Sequence, residues 1–338
     1  MSKITFGVYS KIGLLLLPLV AAVVCIGIGR YHIGIADTVQ VLLSPVIGNL
    51  NDMDSTQVSV IFSVRLPRIL LAMFIGAGLS VSGAAFQGLF TNPLATPDTL
   101  GVASGASFGA ALALLFSANL LVVQISALAF GLCAIMLTHF ISQQRDKTNI
   151  VMLVLSGMVV SSLFQALVSL VKYVADPQDV LPGITYWLMG SMTGISYSRL
   201  MLGIPFILSG TLIIFFLRWR LNIMALSSDE AKSLGINVKL VRILIMLAAT
   251  FVTASCVSMC GQVGWVGLLV PHISRMLYGS NNKDVIPVSI SLGAMFMVMM
   301  DTAARSATAA EIPISILTAV IGAPFFIALL RKTGGARL

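Results

Sequence analysis

An all-α integral membrane fold, one polytopic domain over residues 1–338 with about ten transmembrane helices, is predicted by three features of this chain. Hydrophobic residues make up 58% of it and charged residues only 9%, where a soluble domain carries about a quarter charged. Apolar runs fit to cross a hydrocarbon core of roughly 30 Å recur from end to end, instead of forming one anchor beside a soluble domain. Small residues repeat every fourth position within those runs, the pattern by which helices approach closely in lipid.

The first run, residues 12–29, is apolar for 18 residues and is followed by Arg30. It lacks a small-residue cleavage site leading into a soluble domain, so it is expected to be a span and not a signal peptide. Residues 31–63 are mixed in polarity, hold Asp37, Asp52 and Asp54, and are expected outside with a short amphipathic helix. Span 2, residues 66–90, carries no charge after Arg68 and makes about 37 Å of helix at roughly 1.5 Å per residue. Gly76, Ser80, Ala84 and Gly88 give it a flat face, and Gly101, Gly105 and Gly109 do the same for span 3, residues 100–116. In the turn between them, Pro93 and Pro97 remove donors and disfavour helix in the residue before each, while Asn92 and Asp98 suit the task of satisfying freed backbone groups.

Span 4 is expected over residues 120–142 and span 5 over 150–171, followed by an external stretch with Asp176, Pro177, Asp179, Pro182 and Trp187. Span 6, residues 200–217, is stopped by Arg218-Trp219-Arg220. Spans 7 to 10 follow over residues 243–260, 265–277, 285–300 and 314–330. Spans 3, 8 and 10 are short and Pro271 interrupts span 8. Irregular backbone at membrane depth persists only where protein or a water-filled cavity covers it, so a pathway is expected nearby.

An even number of spans puts both termini on one side. With the N-terminus inside, fourteen Lys and Arg fall in internal segments against six outside, namely Arg30, Arg65, Arg68, Lys172, Arg199 and Arg305. The excess places both termini in the cytoplasm. The net charge of +8 is spread between spans and not gathered on a soluble face, which argues against nucleic acid as a partner.

Residues 227–235, between spans 6 and 7, read as a short, strongly punctuated helix. Ser227 and Glu230 form a Ser-x-x-Glu capping box, Asp229 and Glu230 fill the first turn, and Gly235 is placed to stop the helix after Leu234. Such a helix is too short to persist alone and needs a surface to lie on.

The residues exclude several chemistries. No Gly-x-x-x-x-Gly-Lys-Ser/Thr loop, His-Glu-x-x-His helix or Gly-x-Ser-Gly pattern occurs. Cys25, Cys133, Cys256 and Cys260 lie in apolar runs and are expected as buried thiols, since the Cys256-x-x-x-Cys260 pair is too sparse for zinc. His32, His139 and His272 are far apart, so neither a metal site nor a catalytic constellation is expected.

Arg65-Leu66-Pro67-Arg68, the Gly-rich span 2, Gln87, the run Asn92 to Pro97 and Leu100-Gly101 resemble the signature of the FecCD family of membrane permeases. Residues 264–275, from Gly264-Trp265 through Pro271-His272 to Arg275, and Glu311-Ile312-Pro313 through Gly322-Ala323-Pro324-Phe325-Phe326 look like two further family blocks. The likeness covers essentially the whole chain. It implies the type II ABC importer permease fold and the import of iron-siderophores, haem, cobalamin or related metal-containing solutes, or of an oxyanion such as molybdate or tungstate.

The resemblance also implies partners and site residues. The chain would form a homodimer in the bacterial inner membrane, with two ATPase subunits and a periplasmic or lipid-anchored binding protein. It would hold no cofactor itself, ATP and Mg belonging to the ATPase. Span 5, the span 2–3 hairpin and span 10 would line the pathway. Residues 227–235 would be the coupling helix, through Ser228, Asp229, Glu230, Ala231, Leu234 and Gly235. Arg65, Arg68 and Arg305 match arginines that receive glutamates of the binding protein, a task suited to the planar guanidinium fork; the bland alternative is interfacial anchoring, with Arg305 paired to Asp301. Asn92 and Leu94, with Asn149 and Ile150, match the cytoplasmic gate, where Asn149-Ile150 departs from the family's small hydroxylated residues.

Two rivals set the contrast. An ion-coupled secondary transporter would want carboxylates deep in the spans or paired broken helices, and Asp301 and Glu311 are expected only at the outer membrane face. A membrane-embedded enzyme would need nucleophile, base or metal ligands that the chain lacks.

Overall fold

A computed structural model describes residues 8–48, 53–116, 119–144, 147–148, 150–226, 228–308 and 310–333. The helices in chain order are α1 (Val8–Gly27), α2 (Ile35–Ile47), α3 (Ser55–Ser59), α4 (Leu66–Leu89), α5 (Val102–Phe116), α6 (Leu120–Ser142), α7 (Ile150–Val174) and α8 (Val180–Leu188). They continue with α9 (Tyr197–Leu217), α10 (Arg220–Ile223), α11 (Ser228–Ser233), α12 (Val238–Cys260), α13 (Val266–Tyr278), α14 (Asn282–Ser306) and α15 (Ile314–Thr333). A π-helical turn, Val60–Arg65, fuses α3 to α4. Between α6 and α7, Gln143–Gln144 pairs antiparallel with Lys147–Thr148 as a minimal β-ladder that the sequence did not announce.

Among the described residues six helices are long and apolar enough to cross a membrane, and shorter apolar helices, α5 and part of α15 among them, complete the bundle. The expected spans coincide with α1, α4, α5, α6, α7, α9, α12, α13, α14 and α15, several extended by a turn. The amphipathic helix expected after span 1 is α2, and the stretch expected outside after span 5 holds a further helix, α8.

α4 is the axis of the bundle, buried along most of its length against α14, α12, α13 and α9. Its small-residue face is the reason. A Cβ at Gly76 would overlap Gly293 O on α14, and one at Gly83 would overlap Gly267 O on α13. Gly105 and Gly109 of α5 meet the backbone of α6 in the same way, at Phe130 O and Ser126 O. Close backbone approach yields dispersion contacts that lipid cannot match. Phe86, Ile69, Leu71 and Ile75 fill the remaining space.

Prolines inside helices orphan the carbonyl four residues back, and side chains from neighbouring helices recover two of these. Pro18 frees Leu14 O in α1, which accepts a hydrogen bond from Ser291 Oγ of α14. Pro271 frees Gly267 O in α13, which accepts from Gln87 Nε2 of α4 at 3.4 Å. Gln87 Oε1 in turn accepts from Arg275 Nη1. Cys25, Cys256 and Cys260 are buried as expected, but Cys133 is exposed on α6, whose outer face turns away from the bundle.

Candidate functional site

The end of the bundle carrying Arg305 is held by Arg68, Asp301 and Glu311 together with two helix-capping arginines, Arg65 and Arg305. Arg68 Nε donates to Asp301 Oδ1 at 2.7 Å, and its Nη1 donates to Glu311 Oε1 at 2.8 Å and Oε2 at 2.9 Å. Thr193 Oγ1 donates to Glu311 Oε2 at 2.7 Å. Arg305 Nε faces Asp301 Oδ2 at 3.7 Å, so the i, i+4 pair of the sequence reading exists but is loose. Burial pushes the Glu311 carboxyl up, yet the hydrogen bonds and charge of Arg68 and the hydroxyl of Thr193 outweigh it and hold the group below the usual glutamate range.

Arg65 and Arg305 spend their other donors on the C-terminus of α1. Arg65 Nη1 donates to Ile26 O at 2.6 Å and Gly27 O at 3.2 Å, and Arg305 donates to Cys25 O and Ile28 O. These carbonyls have no intrahelical donor, and the guanidinium charge also opposes the negative end of the helix dipole. Gly29 makes the approach possible, since a Cβ there would lie 2.6 Å from Arg65 Nη2 and 2.8 Å from Arg305 Nη1.

Arg65, Arg68 and Arg305, which the sequence puts at the membrane edge for docking or anchoring, therefore have donors engaged within the chain. Arg65 is 5% and Arg68 7% exposed, and Asp301 is fully buried instead of lying at the membrane face. A charge on a helix end that also fills a packed junction satisfies neighbouring backbone first. Arg30, exposed and bonded to Thr308 O at 3.0 Å, shares this rim.

At the other end lies the α4–α5 turn. Asn92 Oδ1 accepts from Leu94 N at 2.9 Å, and Asn92 O accepts from Ala95 N at 3.1 Å, an Asx-turn that leaves Leu94 exposed. Thr96 and Thr99 bond reciprocally, closing the turn. It docks on α7, where Ser161 Oγ donates to Asp98 O at 3.2 Å and a Cβ at Gly157 would overlap Thr99 O. Burial pushes the Asp98 carboxyl up to about 6. Within one chain the turn thus meets α7 two turns or more past its start, away from Ile150; Asn149 lies outside the described residues.

α11 is the short helix expected from residues 227–235, although Ser227 lies outside the described residues. Ala231 is buried at 1% exposure and anchors it, while Glu230 is exposed and Leu234 is 59% exposed. Gly235 takes φ 73° and ends the helix, as the sequence expected. Ser228 and Asp229 occupy its first turn.

Sequence reasoning passed over a stripe on α7. Ser162, Gln165 and Ser169, spaced i, i+3 and i+7, are exposed along one face of this membrane helix. Ser162 and Ser169 satisfy their hydroxyls on Met158 O and Gln165 O. Neutral polar groups aligned on a span face water or protein in preference to lipid. The helical spacing of these residues was the available signal.

The model of the FecCD transport family matches residues 15–332 of the chain. Among curated relatives, the molybdate import system permease protein MolB of Haemophilus influenzae is 42% identical over 327 residues, 96% of each chain. The cobalamin import system permease protein BtuC of Halobacterium salinarum is 37% identical over 273 residues, covering 80% of this chain and 73% of its own. A solved inward-facing conformation described as a metal-chelate type ABC transporter superposes with a TM-score of 0.85 at 41% identity, covering 96% of this chain and 99% of that one.

Proposed function

Because the chain belongs to the FecCD transport family, we propose that it is the membrane permease of a binding-protein-dependent ABC importer, carrying a metal-containing solute inward by ATP-driven alternating access. The reading rests above all on α11, a helix seated through buried Ala231 that offers exposed Glu230 and Leu234 to an outside surface. A chain with no phosphate loop of its own needs such a coupling element to receive work from a separate ATPase. ATP would bind that ATPase and stabilise one of two arrangements of the spans, shifting which end of the pathway is open.

The end carrying α11 and Asn92 is taken as cytoplasmic, as the distribution of basic residues favours, with both termini there. A second copy would cover the α7 stripe and the exposed face of α15, where Val320 and Ile321 are uncovered, and would close a pathway lined by Ser162, Gln165 and Ser169. Asn92, Leu94, Asn149 and Ile150 would approach their counterparts across that axis as the cytoplasmic gate.

The binding protein would dock on the rim built by Arg65, Arg68 and Arg305. With those side chains engaged, an incoming carboxylate reaches Arg68 by replacing Glu311, and meets Arg30 first. The relatives named for molybdate and cobalamin import support a solute of the molybdate or metal-chelate class.

Co-purification with the ATPase tests the reading. The wild-type chain should elute with two ATPase copies per two permeases, and Leu234→Asp should lose them without losing thermal stability. Vesicles holding the complex, the binding protein and internal ATP should accumulate radiolabelled molybdate or a ferric siderophore. Accumulation in vesicles holding this chain alone would overturn the proposal in favour of a secondary transporter.

A further inference from the structure

A groove of about 890 Å³ runs between α1, α4 and α14 to the Arg218 end of α9. Two of its walls are helical stripes. Leu70, Met73, Phe74 and Ala77 lie at i, i+3, i+4 and i+7 on α4, and Pro287, Ile290, Ser291 and Ala294 repeat the spacing on α14. Leu14 and Pro18 of α1 form the third side. From Asn281 to Ala294 it spans about 20 Å along α14, at roughly 1.5 Å per residue. Ser291, a polar side chain set in these walls within the bundle, has its hydroxyl committed to Leu14 O.

The mouth is different. Arg218 and Lys283 line it with Asn281 and Asp284, and among the described residues neither cation is in an ion pair. Arg218 lies 3.8 Å over the Phe215 ring and donates from Nη1 to Phe215 O at 2.9 Å, which fixes the guanidinium at the rim. Its Nε is buried with no hydrogen-bond partner. Such a donor is costly unless an acceptor arrives. Asp284 sits in the first turn of α14 and offsets one of the two cations, leaving the mouth net positive. Trp219, half-exposed beside them with Arg220 5.5 Å from its ring, marks the level of the interface.

An apolar slot as long as one leaflet, opening within a membrane bundle and ending at an unsatisfied guanidinium and an ammonium, matches one kind of molecule. We propose that it is a binding site for an anionic phospholipid, one acyl chain lying in the groove along α1, α4 and α14 and the phosphate bonded to Arg218 and Lys283. The bound chain fills the space that Leu14 and Pro18 of α1 close off against the other two walls, so the lipid braces α1 against α4 and α14. A basic pocket between spans at the interface is the setting in which headgroup recognition occurs.

The test uses the full-length chain purified in detergent, delipidated, and exposed to mixed micelles of phosphatidylglycerol and phosphatidylcholine with identical acyl chains. Native mass spectrometry should show phosphatidylglycerol retained about tenfold over phosphatidylcholine, since each basic side chain near the surface favours anionic lipid. Arg218→Gln with Lys283→Gln should abolish the preference without lowering the melting temperature of the delipidated protein. Met73→Trp and Ala77→Phe, two independent blocks of the slot, should each reduce retention of both lipids, so that failure of one to fold leaves the other. Equal retention of the two lipids by the wild type, or a preference that survives the double substitution, would overturn the site. So would inorganic phosphate raising the melting temperature as far as the lipid does, because the occupant would then be a free anion.

Discussion

Arg68 and Asp301, 233 residues apart in sequence, meet through a 2.7 Å bond from Nε to Oδ1 in a junction from which solvent is excluded at the carboxylate. The bond ties the start of α4 to the last turns of α14, and Glu311 extends it to the segment entering α15. Three elements converge on one guanidinium. A buried charge must be paired and hydrogen-bonded, and the stability of this rim rests on that rule.

Asp301→Ala should therefore destabilise the protein by about 3–5 kcal/mol, because Arg68 and Arg305 lose their buried counter-charge. Arg68→Met combined with Asp301→Leu should cost well below the sum of the single changes. Thermal unfolding in detergent, arranged as a double-mutant cycle, checks both statements.

Glu311 gives the rim a pH dependence whose sign is fixed. Its folded carboxyl titrates below the ordinary glutamate range, so its contribution is present above about pH 4.3 and is lost as pH falls through the folded value. Glu311→Gln should cost about 1 kcal/mol at neutral pH. The gap from the wild type should close in acid, as melting curves collected between neutral pH and pH 3 would record.

Ser291 and Pro18 form a compensating pair. Ser291→Ala leaves Leu14 O, the carbonyl that Pro18 orphans, without its donor, and should cost about 1 kcal/mol. Pro18→Ala restores the backbone N–H that bonds Leu14 O within α1. In that background Ser291→Ala should be close to neutral, which chemical denaturation of the four proteins would show.

Two glycines separate rigid from yielding contacts. Gly83→Ala drives a methyl into the backbone at Gly267 O, which cannot move without displacing α13, and should cost about 3 kcal/mol or more. Gly29→Ala meets only the ends of Arg65 and Arg305, which can withdraw, so its cost is the weakened cap of α1, about 1 kcal/mol. Midpoints of thermal unfolding rank the two.

What the residues alone determined was the material and the period. Composition required a membrane, the lengths of apolar runs placed the spans, four-residue glycine repeats marked the faces of α4 and α5 that others approach, and Gly235 marked the end of α11. These are local properties, and in lipid a backbone satisfied within its own helix lets local properties decide the element. The tertiary structure decided where charge goes. From sequence Arg65, Arg68 and Arg305 are cations at a membrane edge; only the convergence of α1, α4 and α14 turns two of them into caps for α1 and the third into the partner of Asp301 and Glu311. The slot ending at Arg218 and Lys283 was equally hidden, for its walls come from helices more than 200 residues apart, and no period along the chain encodes which stripes will face each other.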